Sequence, residues 1–159
     1  MPNIVLTRID NRLVHGQVGN VWVKNTGSNL LLVADDEAAN DPFQQSVMKM
    51  TADSSGVGIR FFSLAQTIEV IHKASDEQKI LIVCKNPQSV RKLVEGGVPI
   101  KVLNVGNMHS AEGKRKNSSQ FVYCDDQDIA DITFIRDQGV EVFVQVLPNE
   151  RRMDFNFNG

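Results

Sequence analysis

Apolar and polar positions along this chain follow two alternating patterns: short apolar runs, and longer segments with apolar residues at helical spacing. Residues 3–7 form a short run rich in β-branched side chains, which predicts a buried strand. Further on, Val21 and Trp22 recur at helical spacing, and Gly27 supplies a helix end. Residues 8–17 are therefore predicted to connect a first strand to a first helix.

The same alternation continues along the chain and predicts further strands and helices. Strands are expected at residues 29–35, 57–63, 80–85, 100–105, 120–124 and 140–146. Helices are expected at residues 41–52, 64–75 and 125–138, and from Pro87 to the Gly96–Gly97 pair. Such alternation is typical of an α/β fold, here an open, mainly parallel, twisted sheet of about seven strands with helices on both faces.

One segment breaks the alternation. Residues 106–119 lack an apolar helical face, and a parallel crossover usually needs a helix, so the late strand at 120–124 could pair antiparallel. The tail at 149–159 is short and polar, which fits either a mobile end or a segment docked on the surface. No linker or repeat divides the chain, so residues 1–159 are predicted to form one domain.

Composition agrees with a globular protein of the cytoplasm. Hydrophobic residues make up 42% of the chain and charged residues 23%. A net charge of −2 gives no reason to expect nucleic acid or an anionic membrane surface as a partner. The chain has no apolar run of about 18 residues, so direct membrane insertion is not expected. Cys84 and Cys124 lie in apolar runs and are expected to be buried free thiols.

The predicted connection between the first strand and the first helix carries candidate chemistry. His15 would lie near a helix N-terminus, where free N–H groups and the helix dipole favour phosphate. A neutral imidazole nitrogen can attack phosphorus, and guanidinium groups such as those of Arg12 and Arg8 stabilise the charge on phosphoryl oxygens. Asp10 would orient an arginine or hold the loop. Alternatively, the arginines are surface charges and His15 is a polar cap.

The order of residues in this connection adds a resemblance. Residues 8–18 read RIDNRLVHGQV, which resembles the active-site signature of IIB components of the bacterial phosphoenolpyruvate-dependent sugar phosphotransferase system, in the mannose–fructose–sorbose family. Asn11 stands where that family often has an acidic residue. The resemblance implies a protein-histidine phosphotransferase in which Nδ1 of His15 accepts phosphate from a IIA phosphohistidine, supported by Arg12. The phosphate then passes to a sugar that arrives through the membrane components IIC and IID.

The same resemblance implies where the phosphoryl group is held and which sugar receives it. Backbone N–H groups of Gly16 and Gln17 would hold the phosphoryl group with the arginines, and no cofactor is expected beyond the covalent phosphate. The similarity extends through residues 31–37 with 41–42, residues 79–85, and residues 98–99 with 104–109. Segments 104–109 and 140–145 are most similar to members serving N-acetylgalactosamine or galactosamine, with mannose, fructose and sorbose as alternative sugars.

Several other polar residues are expected at the same edge of the sheet, where the strands end. Asp35 and Asp36 follow the second predicted strand, and His109 follows the fifth. Asp35 and His109 are therefore candidate neighbours of His15, and His109 could gate the substrate or hold its own loop. Acidic residues at a helix start also simply favour the dipole. The run 114–116 is basic and could touch an acidic partner or be solvated.

Two other functions stay open on the sequence alone. A metal-dependent hydrolase could use His15, His109, Asp35 and Asp36, but none of these residues forms a ligand pair with helical i, i+4 spacing, so no metal site is predicted. A regulatory module could instead dock on a IIA-like protein without passing phosphate onward.

Overall fold

The computed structural model describes residues 2–159, and its elements follow the predicted chain order. The strands are β1 (Asn3–Asp10), β2 (Leu30–Ala34), β3 (Gly58–Phe62), β4 (Lys79–Cys84), β5 (Val102–Asn107), β6 (Arg115–Lys116), β7 (Tyr123–Cys124) and β8 (Glu141–Val144). The helices are α1 (π-helical Gln17–Trp22 continuing as α-helical Val23–Thr26), α2 (Pro42–Ser54), α3 (Leu64–Val70, extended by a 3-10 turn at Ile71–Lys73), α4 (Pro87–Glu95) and α5 (Asp126–Asp137). A further 3-10 turn spans Ala38–Asn40.

The main sheet contains six strands in the order β3–β2–β4–β1–β5–β8, and every described pairing within it is parallel. Side chains that alternate along a strand enter different cores. In β2, Leu31 and Val33 join the apolar cluster of α1 and α2, whereas Leu32 and Ala34 join the cluster of α3, α4 and α5. The prediction of an open parallel sheet with helices on both faces is therefore confirmed.

Side chains at the helix starts explain why most helices begin close to the predicted positions. Asp41 accepts hydrogen bonds from the first backbone N–H groups of α2, and Asn86 accepts one at the start of α4. Ser63 and Asp125 form capping boxes at the starts of α3 and α5. Each cap satisfies N–H groups that the helix itself leaves unpaired. At the other end of α1, Gly27 adopts a left-handed φ of 67° and ends the helix as predicted.

The strand predicted at residues 120–124 does pair antiparallel, but it is shorter than predicted and lies outside the main sheet. Only β7 forms there, and it pairs antiparallel with β6 in the preceding loop rather than adding a seventh strand to the main sheet. The basic run contributes to this arrangement. The Lys114 ammonium lies 2.8 Å from Asp128, and the Arg115 guanidinium lies 2.9 Å from Asp126. Two of its three cations are thus paired with α5 of the same chain, which fastens the two-stranded ribbon to that helix.

The C-terminal tail is docked on the protein. Met153 forms an antiparallel bridge with Val144, and the side chain of Phe155 is buried in the cluster of α3, α4 and α5. Asn117 in the ribbon donates to the carbonyl of Asn156 at 2.9 Å and accepts from its N–H at 3.1 Å. Of the two alternatives left by the sequence, docking is therefore the one observed.

Cys84 and Cys124 are both buried and unpaired, as predicted. Burial raises the pKa of Cys124 to about 12, and it also raises the pKa of Cys84. In the described part of the chain, no helix has the length and apolar character needed to cross a bilayer.

The sheet order identifies a crevice at the edge where the strands end. From β1 the chain moves through α1 towards β2 on one side, whereas from β5 it moves towards β8 on the other. Neighbouring strands whose connections diverge leave a gap outside their carboxyl ends, and ligands of α/β proteins bind in such gaps. The loops that follow β1 and β5 meet at this point.

Candidate functional site

The loop after β1 turns sharply before α1 begins. Leu13 has a left-handed φ of 58°, which is rare for a leucine, and its N–H donates to the carbonyl of Asp10 at 3.0 Å. The Leu13 side chain is buried in the cluster of α1 and α2, which holds this backbone conformation in place. The turn allows His15, five residues beyond the end of β1, to contact the last residue of that strand.

His15 is hydrogen-bonded to a buried carboxylate. Its Nε2 atom lies 2.9 Å from Oδ2 of Asp10, whose side chain is 0% exposed, whereas the His15 side chain retains 17% exposure. A carboxylate only accepts hydrogen bonds, so the bond assigns the ring proton to Nε2. The lone pair of Nδ1 then remains available for chemistry. Asp10 also accepts a hydrogen bond from the N–H of Arg12 at 3.0 Å, which ties the loop to the strand end.

Arg8 lies behind Asp10 and is completely buried. Its Nη2 donates to Oδ2 of Asp10 at 3.1 Å, and its guanidinium lies 5.1 Å from the ring centre of Trp22. The expectation that Arg8 contacts a phosphoryl group is wrong, because a side chain with 0% exposure cannot meet a group arriving from outside. The alternative that Arg8 is a surface charge is wrong for the same reason. Arg8 instead neutralises the carboxylate that holds His15.

The contacts of Arg8 and Asp10 determine the directions in which their pKa values shift. Burial alone would raise the pKa of Asp10, but the hydrogen bond with His15 and the charge of Arg8 outweigh it and hold that pKa below its ordinary value. Burial lowers the pKa of Arg8, while the neighbouring carboxylate of Asp10 acts in the opposite direction. Asp10 is therefore an acceptor throughout the neutral pH range.

Two residues of β5 complete the surroundings of Arg8, and sequence reasoning missed both. Asn104 accepts a hydrogen bond from Nη1 of Arg8, and the same Nη1 donates to the carbonyl of Gln145 at 3.1 Å. Gly106 lies against the guanidinium, and a β-carbon at this position would overlap its central carbon. A glycine inside a strand often marks such a close approach, but the fifth strand was predicted to end at residue 105, so Gly106 was not recognised as part of it.

Arg12, in contrast to Arg8, reaches solvent. Its side chain is 46% exposed, and its Nε lies 3.9 Å from Oδ1 of Asp10.

The first helix begins directly after His15. The carbonyl of His15 accepts a hydrogen bond from the N–H of Gly19 at 2.7 Å, which starts the helical pattern. Gly16 and Gln17 thus stand at the start of α1, where N–H groups have no partner within the helix. Apart from its two chain neighbours and the backbone of its own helix, no described residue would come within 4 Å of a β-carbon on Gly16, so the surface at Gly16 is open.

A cleft of about 520 Å³ lies beside this loop, in the crevice between the ends of β1 and β5. Arg12 and Gln17 line one side, and His109 and Phe121 are among the residues on the other. The exposed His109 donates its backbone N–H to the side-chain oxygen of Asn11, which joins the two loops. A carboxylate could accept the same bond, so asparagine at this position preserves the contact. The structure thus brings His109 to the same cleft as Arg12.

Asp35, by contrast, belongs to another part of the edge. β4 lies between β1 and β2, so the ends of these strands are about 10 Å apart. Oδ2 of Asp35 accepts from the N–H of Ala38 at 2.9 Å and lies 3.6 Å from the ammonium of Lys85. The expectation that Asp35 neighbours His15 is not met, because strand order separates them. Asp35 instead caps its own turn.

Asp36, which the alternative metal-dependent hydrolase would use as a ligand, is likewise engaged elsewhere in the fold. Asp36 accepts a hydrogen bond from the N–H of Leu64 at 2.8 Å, which ties the turn after β2 to the start of α3. Within residues 2–159, no group of three or more histidine, cysteine, aspartate or glutamate side chains is arranged to hold a metal ion.

Comparisons with known proteins cover nearly the whole chain. A sequence model of the family described as "PTS system sorbose subfamily IIB component" matches residues 4–157. The N-acetylgalactosamine-specific phosphotransferase enzyme IIB component 1 of Escherichia coli (strain K12) is 57% identical over 151 residues, which are 95% of each chain. IIB component 2 of the same strain is 51% identical over 154 residues, which are 97% of each chain. The crystal structure of PTS system N-acetylgalactosamine-specific IIB component 1 from Escherichia coli gives a TM-score of 0.91 at 56% identity, covering 94% of this chain and 97% of that one.

Proposed function

Because the chain belongs to the sorbose-subfamily IIB components of the sugar phosphotransferase system, we propose that His15 is its phosphoryl carrier. The observation that supports this most directly is the 2.9 Å contact between Nε2 of His15 and the buried carboxylate of Asp10. It engages one ring nitrogen and leaves the other, Nδ1, with a free lone pair. A nucleophile oriented in this way by a hydrogen-bonded third group is the general arrangement of covalent catalysis.

In the proposed first step, the Nδ1 lone pair of His15 attacks the phosphorus of a IIA phosphohistidine. The bond between phosphorus and nitrogen in IIA breaks, and its electron pair returns to the IIA imidazole. The proton on Nε2 of His15 stays in place, held by Asp10. Because one phosphoramidate replaces another, the step is close to balanced and can run in both directions.

Arg12 and the start of α1 would stabilise the transferred group. The Arg12 guanidinium is held only loosely, by the 3.9 Å approach to Asp10, and its exposed side chain can turn towards incoming oxygens. The N–H groups of Gly16 and Gln17 would supply neutral donors from the helix start. Such donors lower the barrier because they face the charge that the transition state spreads over the equatorial oxygens. This scheme requires no cofactor beyond the phosphate itself.

In the proposed second step, a sugar hydroxyl oxygen attacks the phosphorus on His15. The bond between phosphorus and Nδ1 breaks, its electrons return to the ring, and the hydroxyl proton is released to water. The sugar would be presented by membrane components IIC and IID, so we place the protein in the cytoplasm at the inner face of the membrane. The names of both E. coli relatives specify N-acetylgalactosamine, which we propose, with galactosamine, as the sugar transported here.

The test is phosphoryl transfer from phosphoenolpyruvate through the general phosphotransferase proteins and a cognate IIA. Intact mass and peptide mapping should show one acid-labile phosphoryl group on wild-type protein, located at His15. His15→Gln should accept none. His72→Gln is the matched control, because His72 is exposed in the turn after α3, and it should accept phosphate as wild type does. Acceptance by His15→Gln would refute the proposal.

Onward transfer needs a separate assay. Phosphorylated protein, mixed with membranes that contain IIC and IID, should convert N-acetylgalactosamine to its phosphate ester while the label leaves His15. Retention of the label with every candidate sugar would favour a regulatory module that docks on IIA without passing phosphate onward.

A further inference from the structure

Asn104 is a buried polar side chain of β5, which lies between β1 and β8 in the sheet, and both ends of its amide are used. Its Oδ1 accepts from Nη1 of Arg8, and its Nδ2 donates to the carbonyl of Gln145 at 3.1 Å. The guanidinium can only donate and the carbonyl can only accept, so these two partners determine which way the amide points. Asn104 is 0% exposed and therefore cannot touch a phosphoryl group or a partner protein.

From Asn104 a continuous series of contacts leads to the reactive ring. Arg8 joins Asn104 through Nη1 and Asp10 through Nη2, and Asp10 joins Nε2 of His15. Arg8 and Asp10 are both completely buried, so water cannot replace a lost contact at either residue without entering the core. The direction of the guanidinium thus affects how the Asp10 carboxylate faces His15.

Gly106 leaves room for the Arg8 guanidinium, because glycine has no side chain. Any β-carbon there would overlap the guanidinium and would push it away from its present place. Asn104 thus holds the guanidinium from one side, while Gly106 leaves space for it on the same strand. The two residues act on Arg8 by different physical means, which gives two independent ways to perturb it.

We infer that Asn104 is a positioning residue for phosphoryl transfer: by fixing Arg8, it keeps the Asp10 carboxylate on Nε2 of His15 and so keeps the lone pair on Nδ1. This inference rests on the proposed carrier function of His15. Loss of Asn104 leaves Nη1 of Arg8 with Gln145 as its remaining described acceptor and allows the guanidinium to shift. The ring of His15 then divides between its two tautomers, and part of the protein presents the wrong nitrogen.

The test uses Asn104→Leu, which has similar volume and no hydrogen-bonding atoms. The first measurement is the tautomer ratio of His15 in unphosphorylated protein, obtained from its imidazole ¹⁵N chemical shifts. Wild type should be almost entirely the Nε2–H form, and Asn104→Leu should show a substantial Nδ1–H fraction. The rate of phosphoryl acceptance from IIA should fall about tenfold, as for other residues that orient a reactive ligand from behind.

Thr7→Val is the matched control, because it also removes a buried polar group, from a residue that adjoins Arg8 in sequence. Thr7 is 0% exposed in β1, and its Oγ1 has no hydrogen-bond partner among residues 2–159. It adjoins Arg8 in sequence but points to the other face of the sheet. The control should keep the wild-type tautomer ratio and rate.

Gly106→Ala provides the second variant if Asn104→Leu does not fold. It keeps Asn104 and displaces Arg8 directly, so it should produce the same change in tautomer ratio. A folded Asn104→Leu or Gly106→Ala protein with the wild-type ratio would overturn the inference. The ratio is measured without phosphate, so this result is distinct from failure of wild-type His15 to accept phosphate, which would overturn the proposed function instead.

Discussion

Asp10 and His15, five residues apart, form a 2.9 Å hydrogen bond that combines a fully buried carboxylate with a partly exposed imidazole. An Asp10→Asn substitution keeps the volume but offers an amide that can donate to Nε2 and favour the opposite tautomer. We expect phosphoryl acceptance to fall by about 10² or more, because a wrong histidine tautomer is very costly in comparable triads. Single-turnover transfer from IIA measures this. Asp53→Asn, on the exposed side of α2, should behave like wild type.

Stability should depend on pH through the same carboxylate. The pKa of Asp10 is lowered in the folded protein, so the unfolded chain binds its proton at a higher pH than the folded one. The resulting stabilisation is complete above the unfolded pKa of about 3.9 and is lost as the pH falls from there through the lower folded pKa. Urea unfolding of wild type and Asp10→Asn at pH 7 and at pH 3 should show a difference in free energy that shrinks on acidification. A constant difference would contradict the lowered pKa.

At position 13, a glycine variant should not show its usual lower stability relative to an alanine variant. Its side chain is buried, so Leu13→Ala should lower the free energy of unfolding by about 2–4 kcal/mol. A glycine substitution normally lowers the free energy of unfolding more than an alanine substitution does. At a left-handed φ of 58°, however, glycine removes a backbone penalty of about 1 kcal/mol that alanine retains. Leu13→Gly should therefore be at least as stable as Leu13→Ala in chemical denaturation. A less stable glycine variant would show that the loop relaxes out of this conformation.

Substitution of Arg12 should slow phosphoryl acceptance and leave the stability of the protein nearly unchanged. Its side chain is about half exposed and makes one long approach to Asp10, so Arg12→Ala should change the free energy of unfolding by less than about 0.5 kcal/mol. Loss of the guanidinium should slow phosphoryl acceptance by about 10², as removal of a single transition-state donor does elsewhere. Arg60→Ala serves as a control, because Arg60 is an exposed arginine of β3, away from the loop after β1. Equal rates for the two variants would remove Arg12 from the mechanism.

The parts of the fold that follow from local pattern were predictable, and those that follow from long-range pairing were not. The strand starts and the caps at Asp41 and Asp125 could be anticipated, since a cap and an apolar run are adjacent in sequence. The first strand was predicted over residues 3–7, where the apolar run lies. It continues to Asp10 because Arg8 and Asp10 neutralise each other inside the sheet.

The candidate site shows the same division. His15 stands out in a local motif, and Arg12 lies three residues from it. The contact between Arg8 and Asn104 spans 96 residues, and no local pattern connects them. Asp35 was expected close to His15, and this prediction was wrong because the order of strands in the sheet cannot be read from the sequence. In the structure, β4 lies between β1 and β2.

The attachment of residues 145–146 to the first strand and first helix also bears on biosynthesis. The carbonyl of Gln145 accepts from Arg8 across 137 positions, and that of Val146 accepts from Trp22 at 2.9 Å across 124. A ribosome delivers Arg8 and His15 long before these acceptors, and contacts of such separation close late in folding. A nascent chain thus exposes His15 before Arg8 has its acceptor on Gln145. If His15 is the proposed phosphoryl carrier, we expect the chain to accept phosphate only after β8 has joined the sheet.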